Sequence, residues 1–166
     1  MNIASITRDL LDFIYPRTCA GCDNTLLANE SEICLKCIYK LPKFTTDNSK
    51  ETQTEKIFWG RIPVVQAHSF LRFSKKNLTQ KVIHKFKYKN RQAIGEILGR
   101  FYGSHLKGRF FNSVDVIIPV PLHPIKLEKR GFNQSEFFAM GLARALNKPI
   151  ITEALSRRIH STTQTR

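Results

Sequence analysis

The chain has 166 residues, with 27 Lys and Arg against 13 Asp and Glu and a formal net charge of +14. That length allows one ordinary domain, or a small module joined to part of a larger one. No apolar run approaches the roughly eighteen residues that cross a bilayer, and the charge surplus favours anionic partners: nucleic acid, a phosphorylated metabolite or an anionic surface.

Ile3, Ile6, Leu10, Phe13 and Ile14 recur at helical spacing, which predicts a short amphipathic helix over 2–14 ending before Pro16. Arg8 and Asp9 interrupt its apolar pattern and no small-residue cleavage site follows, so it is not a signal peptide and the cytoplasm is the expected compartment. Cys19, Cys22, Cys34 and Cys37 are the only cysteines, two CxxC pairs separated by eleven residues. Each tight turn presents two thiolates to one ion, and two turns complete a tetrahedral zinc site with no open position. Disulfides are the weaker reading in a chain without a secretory signal, and a redox pair accounts for one CxxC but not two. The expected role of the zinc is structural, because about thirty residues have too little core to fold without a staple. Arg17, Lys36, Lys40 and Lys43 surround this ribbon, which closes an N-terminal module over 1–44 and leaves a docking role open.

Residues 45–62 read as a linker, opening on the polar run TTDNSKETQTEK, and the larger domain is placed at 63–166. VVQAHSFLRF, from Val64 to Phe73, suits a strand or hairpin arm, with His68 inside it as a satisfied structural histidine. Leu78, Val82, Ile83 and Phe86 share one helix face, and Ala93, Ile94, Ile97, Leu98, Phe101 and Tyr102 share another. Between Leu71 and Arg109 stand eleven Lys or Arg residues and a single acid, Glu96, so both helices pair an apolar stripe with a basic face. A strand at 114–118, a helix from about Gln134 to Asn147 and an extended segment from Pro149 follow. The alternation predicts an α/β domain with a parallel sheet flanked by helices.

The stretch from Val116 to Gln134, VIIPVPLHPIKLEKRGFNQ, is the first site candidate. Val116, Ile117 and Ile118 suit a buried parallel strand, and Pro119 and Pro121 force the chain to leave the sheet. A cationic loop then stands at the carboxyl end of a strand, where open α/β sheets bind ligands. Asn133 and Glu136 have capping-box spacing and Phe132 and Phe137 staple spacing, which starts a helix at Gln134 with its anion-attracting end beside the loop. The final ten residues, RRIHSTTQTR, hold three arginines and five hydroxyl or amide side chains. Such donors bind phosphate oxygens, although a frayed terminus is the bland alternative.

The two CxxC pairs, then IHKFKY, DVIIPVPLHP, KRGFNQ and RRIHSTTQT in that order, resemble the ComF family over nearly all of residues 10–166. Its members are similar to a zinc ribbon fused to a type I phosphoribosyltransferase-like domain. The resemblance implies that Cys19, Cys22, Cys34 and Cys37 hold zinc, and that Pro119, Val120, Pro121, Leu122 and His123 form the loop against the pyrophosphate of phosphoribosyl pyrophosphate. It places Arg130, Gly131, Asn133 and Gln134 in the same cleft, and likens Arg157, Arg158, Thr163, Gln164 and Arg166 to a catalytic loop that closes over that substrate, bound with Mg2+. It also implies a link to competence, with single-stranded DNA and the DNA-uptake machinery as partners. The family's downstream segment, a hydrophobic strand, two acids and a Thr- and Gly-rich turn, is not found here. The expected domain therefore lacks its C-terminal part, and the chain alone is expected to be inactive. The alternative is a single-stranded nucleic-acid-binding or protein-interaction module that uses the ribbon and the basic helices.

Overall fold

The computed structural model of the chain describes residues 15–44, 53–106 and 110–159. The amphipathic helix expected over 2–14 lies outside them, as do most of the TTDNSKETQTEK run and Thr163, Gln164 and Arg166. Among the described residues are six α-helices: α1 (Leu35–Lys40), α2 (Gln53–Lys56), α3 (Leu78–Tyr88), α4 (Ala93–Leu106), α5 (Pro124–Arg130) and α6 (Gln134–Leu146). None is long and apolar enough to cross a membrane.

Residues 15–44 form a small cysteine-bearing lobe. Thr18 and Thr25 pair as an antiparallel bridge, closed by a turn in which Asp23 takes a positive φ of 64°. The Glu30 carboxylate accepts the backbone N–H groups of Leu27 (3.0 Å) and Leu35 (2.8 Å), which joins the bridge to the start of α1. An antiparallel bridge between Lys43 and Leu71 then connects the lobe to the segment leading into α3. The lobe has no core of its own: Cys19, Ala20, Leu26 and Ile38 share one buried cluster with Val82, Phe86, Ile94 and Leu98 of α3 and α4. Val82 and Ile94 are fully buried, each contributing about 1.5–3 kcal/mol by removal from water.

Helix α3 starts where the Asn77 side chain accepts the Gln80 N–H at 2.9 Å, and α6 stops at Asn147, whose left-handed φ of 54° no further helical residue can follow. The sequence reading carried α6 to Asn147, one residue beyond its observed last residue, Leu146. The packing of α4 on α6 does not follow from apolar stripes alone. Gly95, Gly99 and Gly103 recur every fourth residue along α4, and at Gly99 the two backbones are in contact: a Cβ there would lie 2.1 Å from the Phe138 carbonyl oxygen. At Gly141 of α6 a Cβ would lie 2.2 Å from the Glu96 carbonyl oxygen. Phe86 and Phe137 fill the space over Gly95.

The expected parallel sheet is not formed among the described residues. Its one trace is a parallel bridge between Ile117 and Ile150, in which Ile117 donates to Pro149 O (2.9 Å) and Ile151 donates to Ile117 O (3.0 Å). The strand read at 114–118 is reduced to that residue, and the strand read over Val64–Phe73 to the bridge at Leu71. A parallel strand is stable when neighbours pair along it and helices cover both faces. Here one short segment pairs with Ile117, and Ile118 and Val120 remain exposed. The helices satisfy their apolar stripes against one another instead. A second correction concerns the basic loop after Pro121, most of which is helix α5. His123 caps it by accepting the Ile125 N–H (3.3 Å), and Pro124 occupies the first turn, where a missing N–H costs nothing. Gly131, with φ 77°, ends it. The stretch assigned to the linker also carries structure, because Glu55 of α2 is buried and accepts the Ala67 N–H at 3.2 Å.

The seam makes a specific demand on side-chain size. Gly141→Ala puts a methyl group against the α4 backbone, which cannot rotate away as a side chain can. The expected loss is about 1–3 kcal/mol or more, read as a lower urea midpoint with an unchanged m-value.

Candidate metal centre and anion-binding loop

The four cysteines come together. Their sulfurs all lie within 4.8 Å of one another, and the Cys22 and Cys34 sulfurs are 3.9 Å apart. Zinc–sulfur bonds of about 2.3 Å in a tetrahedron separate the sulfurs by about 3.8 Å, so the donor set and its spacing fit zinc. None of the four is joined in a disulfide in this structure. The cluster spans two settings, with Cys19 and Cys37 buried, Cys34 half-buried and Cys22 exposed.

The backbone prepares the cluster for charge. Gly21 and Cys34 each donate an N–H to the Cys19 sulfur at 3.3 Å. Burial pushes the Cys19 thiol up, but these backbone N–H groups outweigh it and bring the group down to about 7. Burial pushes Cys37 and Cys34 up, and neighbouring sulfurs add to the rise at Cys37. Two cations from the helical lobe, each paired with a carboxylate of the cysteine lobe, hold the loops that carry the cluster. Arg91 donates to the carbonyls of Thr18 (2.7 Å) and Glu32 (3.2 Å) and pairs with the Glu32 carboxylate. Lys85 donates to the Cys19 carbonyl at 3.4 Å and pairs with Asp23, whose carboxyl is held below its usual range chiefly by that hydrogen bond. A metal filled by four sulfurs has no position for water, so its chemistry is structural.

Sequence reasoning missed Arg91 and Lys85 because they act 59 to 73 residues from their partners. Nothing local separates them from the other basic residues of 71–109. The cations read as surrounding the ribbon serve it in simpler ways. Arg17 donates to the Glu30 carbonyl at 3.1 Å, and the Lys43 ammonium sits 4.7 Å from the centre of the Phe101 ring. His68 is satisfied as expected, with its ring against Phe111 and a 3.2 Å hydrogen bond to Gln66.

The structure draws several residues of the Val116–Gln134 stretch into a second cluster. Pro119 is buried, Pro121, Leu122 and His123 are half-buried, and Val120 is exposed. Asn133 donates from Nδ2 to the Val120 carbonyl (3.1 Å) and accepts the Ser135 N–H on Oδ1 (3.1 Å). Its amide therefore fastens the loop to the first turn of α6. Phe132 is buried against Phe137, with ring centres 5.4 Å apart, as the staple spacing predicts. Arg130 donates to Gln134 Oε1 at 2.7 Å, and its guanidinium lies 5.9 Å from the centre of the Tyr88 ring. A cation is thus held beside the N-terminus of a thirteen-residue helix, where backbone N–H groups favour anions. Gly131 serves as the helix stop rather than as a contact surface. Of the terminal residues, Arg157 is half-buried and Arg158 exposed. Behind the loop, Ile117, Pro119 and Val120 face Phe70, Phe86 and Phe138 across an apolar cavity of about 540 Å3.

Comparison with protein-family models, with curated proteins and with solved structures finds no match for this chain.

The thiol protonation states give the metal site a pH signature. Cys34 and Cys37 hold protons at neutral pH, so zinc uptake must release them, and affinity must rise with pH and fall in acid. Zinc titrations at pH 6, 7 and 8 are expected to show that order. Removal of the metal by a chelator is expected to lower the melting temperature, with the largest loss of amide protection within 15–44. A zinc affinity independent of pH would show that the thiols are not the ligands.

Proposed function

We propose that this chain is a ComF-like member of the phosphoribosyltransferase family that binds phosphoribosyl pyrophosphate with Mg2+, its domain supported by a structural zinc at Cys19, Cys22, Cys34 and Cys37. The finer reading of the fold, a parallel sheet extended around the Ile117–Ile150 pair, belongs to the same proposal, as does the link to DNA uptake. The observation that carries it is the fastening of the Val120 carbonyl to Asn133 beside Arg130. This holds a loop that follows a bridged β residue against a helix N-terminus, which supports a preformed cradle for pyrophosphate.

The chemistry asks little of a base. Ionising the C1–O bond of phosphoribosyl pyrophosphate requires stabilisation of the leaving pyrophosphate and exclusion of water. Arg130 offers its remaining guanidinium N–H groups, the N-terminal end of α6 offers its positive dipole end, and Asn133 keeps both in register with the loop. Mg2+ supplies further neutralisation of the diphosphate when bound. Arg157, Arg158, Thr163, Gln164 and Arg166 are assigned to closure over the substrate by resemblance. Calorimetric titration of the zinc-loaded chain with phosphoribosyl pyrophosphate and Mg2+ is expected to show saturable binding. Arg130→Ala should weaken it about tenfold, the loss of a charge-assisted hydrogen bond. Equal affinity of the variant, or no heat at millimolar ligand, would reject the reading.

A second reading, single-stranded nucleic-acid binding, is favoured by one observation. His84 and Tyr88 are exposed with ring centres 5.0 Å apart, and Arg130 lies over the Tyr88 ring, in a stretch crowded with lysines. Base stacking on that pair with phosphates on the lysines predicts a steep fall of affinity for an oligothymidylate with salt. It also predicts a loss of about 1–3 kcal/mol for Tyr88→Ala. A flat salt response rules this reading out.

A further inference from the structure

The glycine seam has a consequence on its rim. Because α4 and α6 touch backbone to backbone at Gly99 and Gly141, their bordering side chains are brought to one concavity of about 450 Å3, lined by Arg100, Ser104, Arg144 and Ala145. Two arginines therefore line a single depression. The one acid in this part of the sequence, Glu96, pairs with Arg144. The Arg100 guanidinium makes no hydrogen bond or ion pair among the described residues. The Ser104 hydroxyl is committed to the Phe101 carbonyl at 2.7 Å, so recognition in this pocket falls to the two arginines. Arg144 already has a carboxylate beside it and Arg100 has none, so an anion entering the depression gains a second guanidinium, and the planar forks of two arginines match the oxygens of one tetrahedral phosphate.

We propose that this rim is a binding site for a single phosphate group, free or carried as a monoester by a small molecule, with Arg100 and Arg144 as its ligands and Glu96 as an internal competitor for Arg144. None of the four lining residues belongs to the Val116–Gln134 stretch or to the apolar cavity behind it. The inference therefore does not rest on the phosphoribosyl reading. Glu96 has a defined part: it neutralises one arginine when the site is empty and yields it when phosphate enters.

The test is an NMR titration of the zinc-loaded chain, following the Nε–Hε signals of its arginines, with inorganic phosphate in one arm and methyl phosphate in the other. Saturable shifts of Arg100 and Arg144 together are expected in at least one arm, and the tighter arm names the source as free phosphate or a monoester. Arg100→Gln should weaken binding about tenfold, whereas Glu96→Gln, which frees Arg144, should tighten it. Arg130→Gln should leave it unchanged, which separates this site from the pyrophosphate cradle. These side chains are exposed or half-buried at the rim, so the variants are expected to fold, as circular dichroism will verify. Shifts that fail to saturate in both arms, an Arg100→Gln variant that binds as tightly as the parent, or weaker binding by Glu96→Gln would overturn the proposal.

Discussion

Everything else in this molecule depends on the burial of Cys19. Its side chain is fully removed from solvent at the meeting point of the cysteine lobe and the helical lobe. A sulfur that must become an anion to bind metal is costly to bury unless donors surround it. Here the donors are structural. Gly21 and Cys34 supply N–H groups to the sulfur, and Lys85 reaches the carbonyl of the same residue from α3. The four-cysteine cluster is therefore part of the core rather than an appendage to it, and losing its cysteines would disturb Val82 and Ile94 as well as the CxxC turns.

Close contact is the second organising constraint. Gly21 lies against Cys37 and Leu78, Gly95 beneath Phe86 and Phe137, and Gly99 and Gly141 at a direct backbone crossing. The cysteine lobe and the helical lobe share one buried cluster because small residues let them approach within side-chain reach. Arg91 then acts across the joint, its planar fork joining the loop before Cys19 to the loop before Cys34 in a way a lysine cannot reproduce. The same closeness gathers Arg100 and Arg144 at the rim of α4 and α6, so a packing requirement and a charged pocket share one cause.

The Val116–Gln134 stretch joins local rules to tertiary placement. The Asn133 cap, the Phe132–Phe137 staple and the Gly131 stop are each explained within a few residues of sequence. The bond from Asn133 to Val120 and the position of Arg130 over Tyr88 are long-range, and they set a guanidinium and a fastened loop beside the capped end of α6. Arg130 and Tyr88 also lie where the pyrophosphate and nucleic-acid readings overlap, because a guanidinium beside an exposed ring serves phosphate and base alike.

Local spacing by itself determined the doubled CxxC cluster, the apolar faces of α3 and α4, and the start of α6, with its end read at Asn147, one residue past Leu146. Each of these depends on residues within one or two turns of one another, where hydrophobic period, caps and metal-ligand geometry act alone. Helix α5 was legible in principle, but Pro124 reads as a breaker unless it is recognised as a first-turn residue. Tertiary structure decided the rest. Whether Val116–Ile118 and Val64–Phe73 become strands depends on partners supplied elsewhere, and β-branched composition cannot provide them. Arg91 and Lys85 differ from their basic neighbours only in what stands opposite them. The repeat of Gly95, Gly99 and Gly103 was visible in the sequence, yet it became a helix seam only when Gly141 arrived on the facing backbone, because close approach is a property of two surfaces rather than of one.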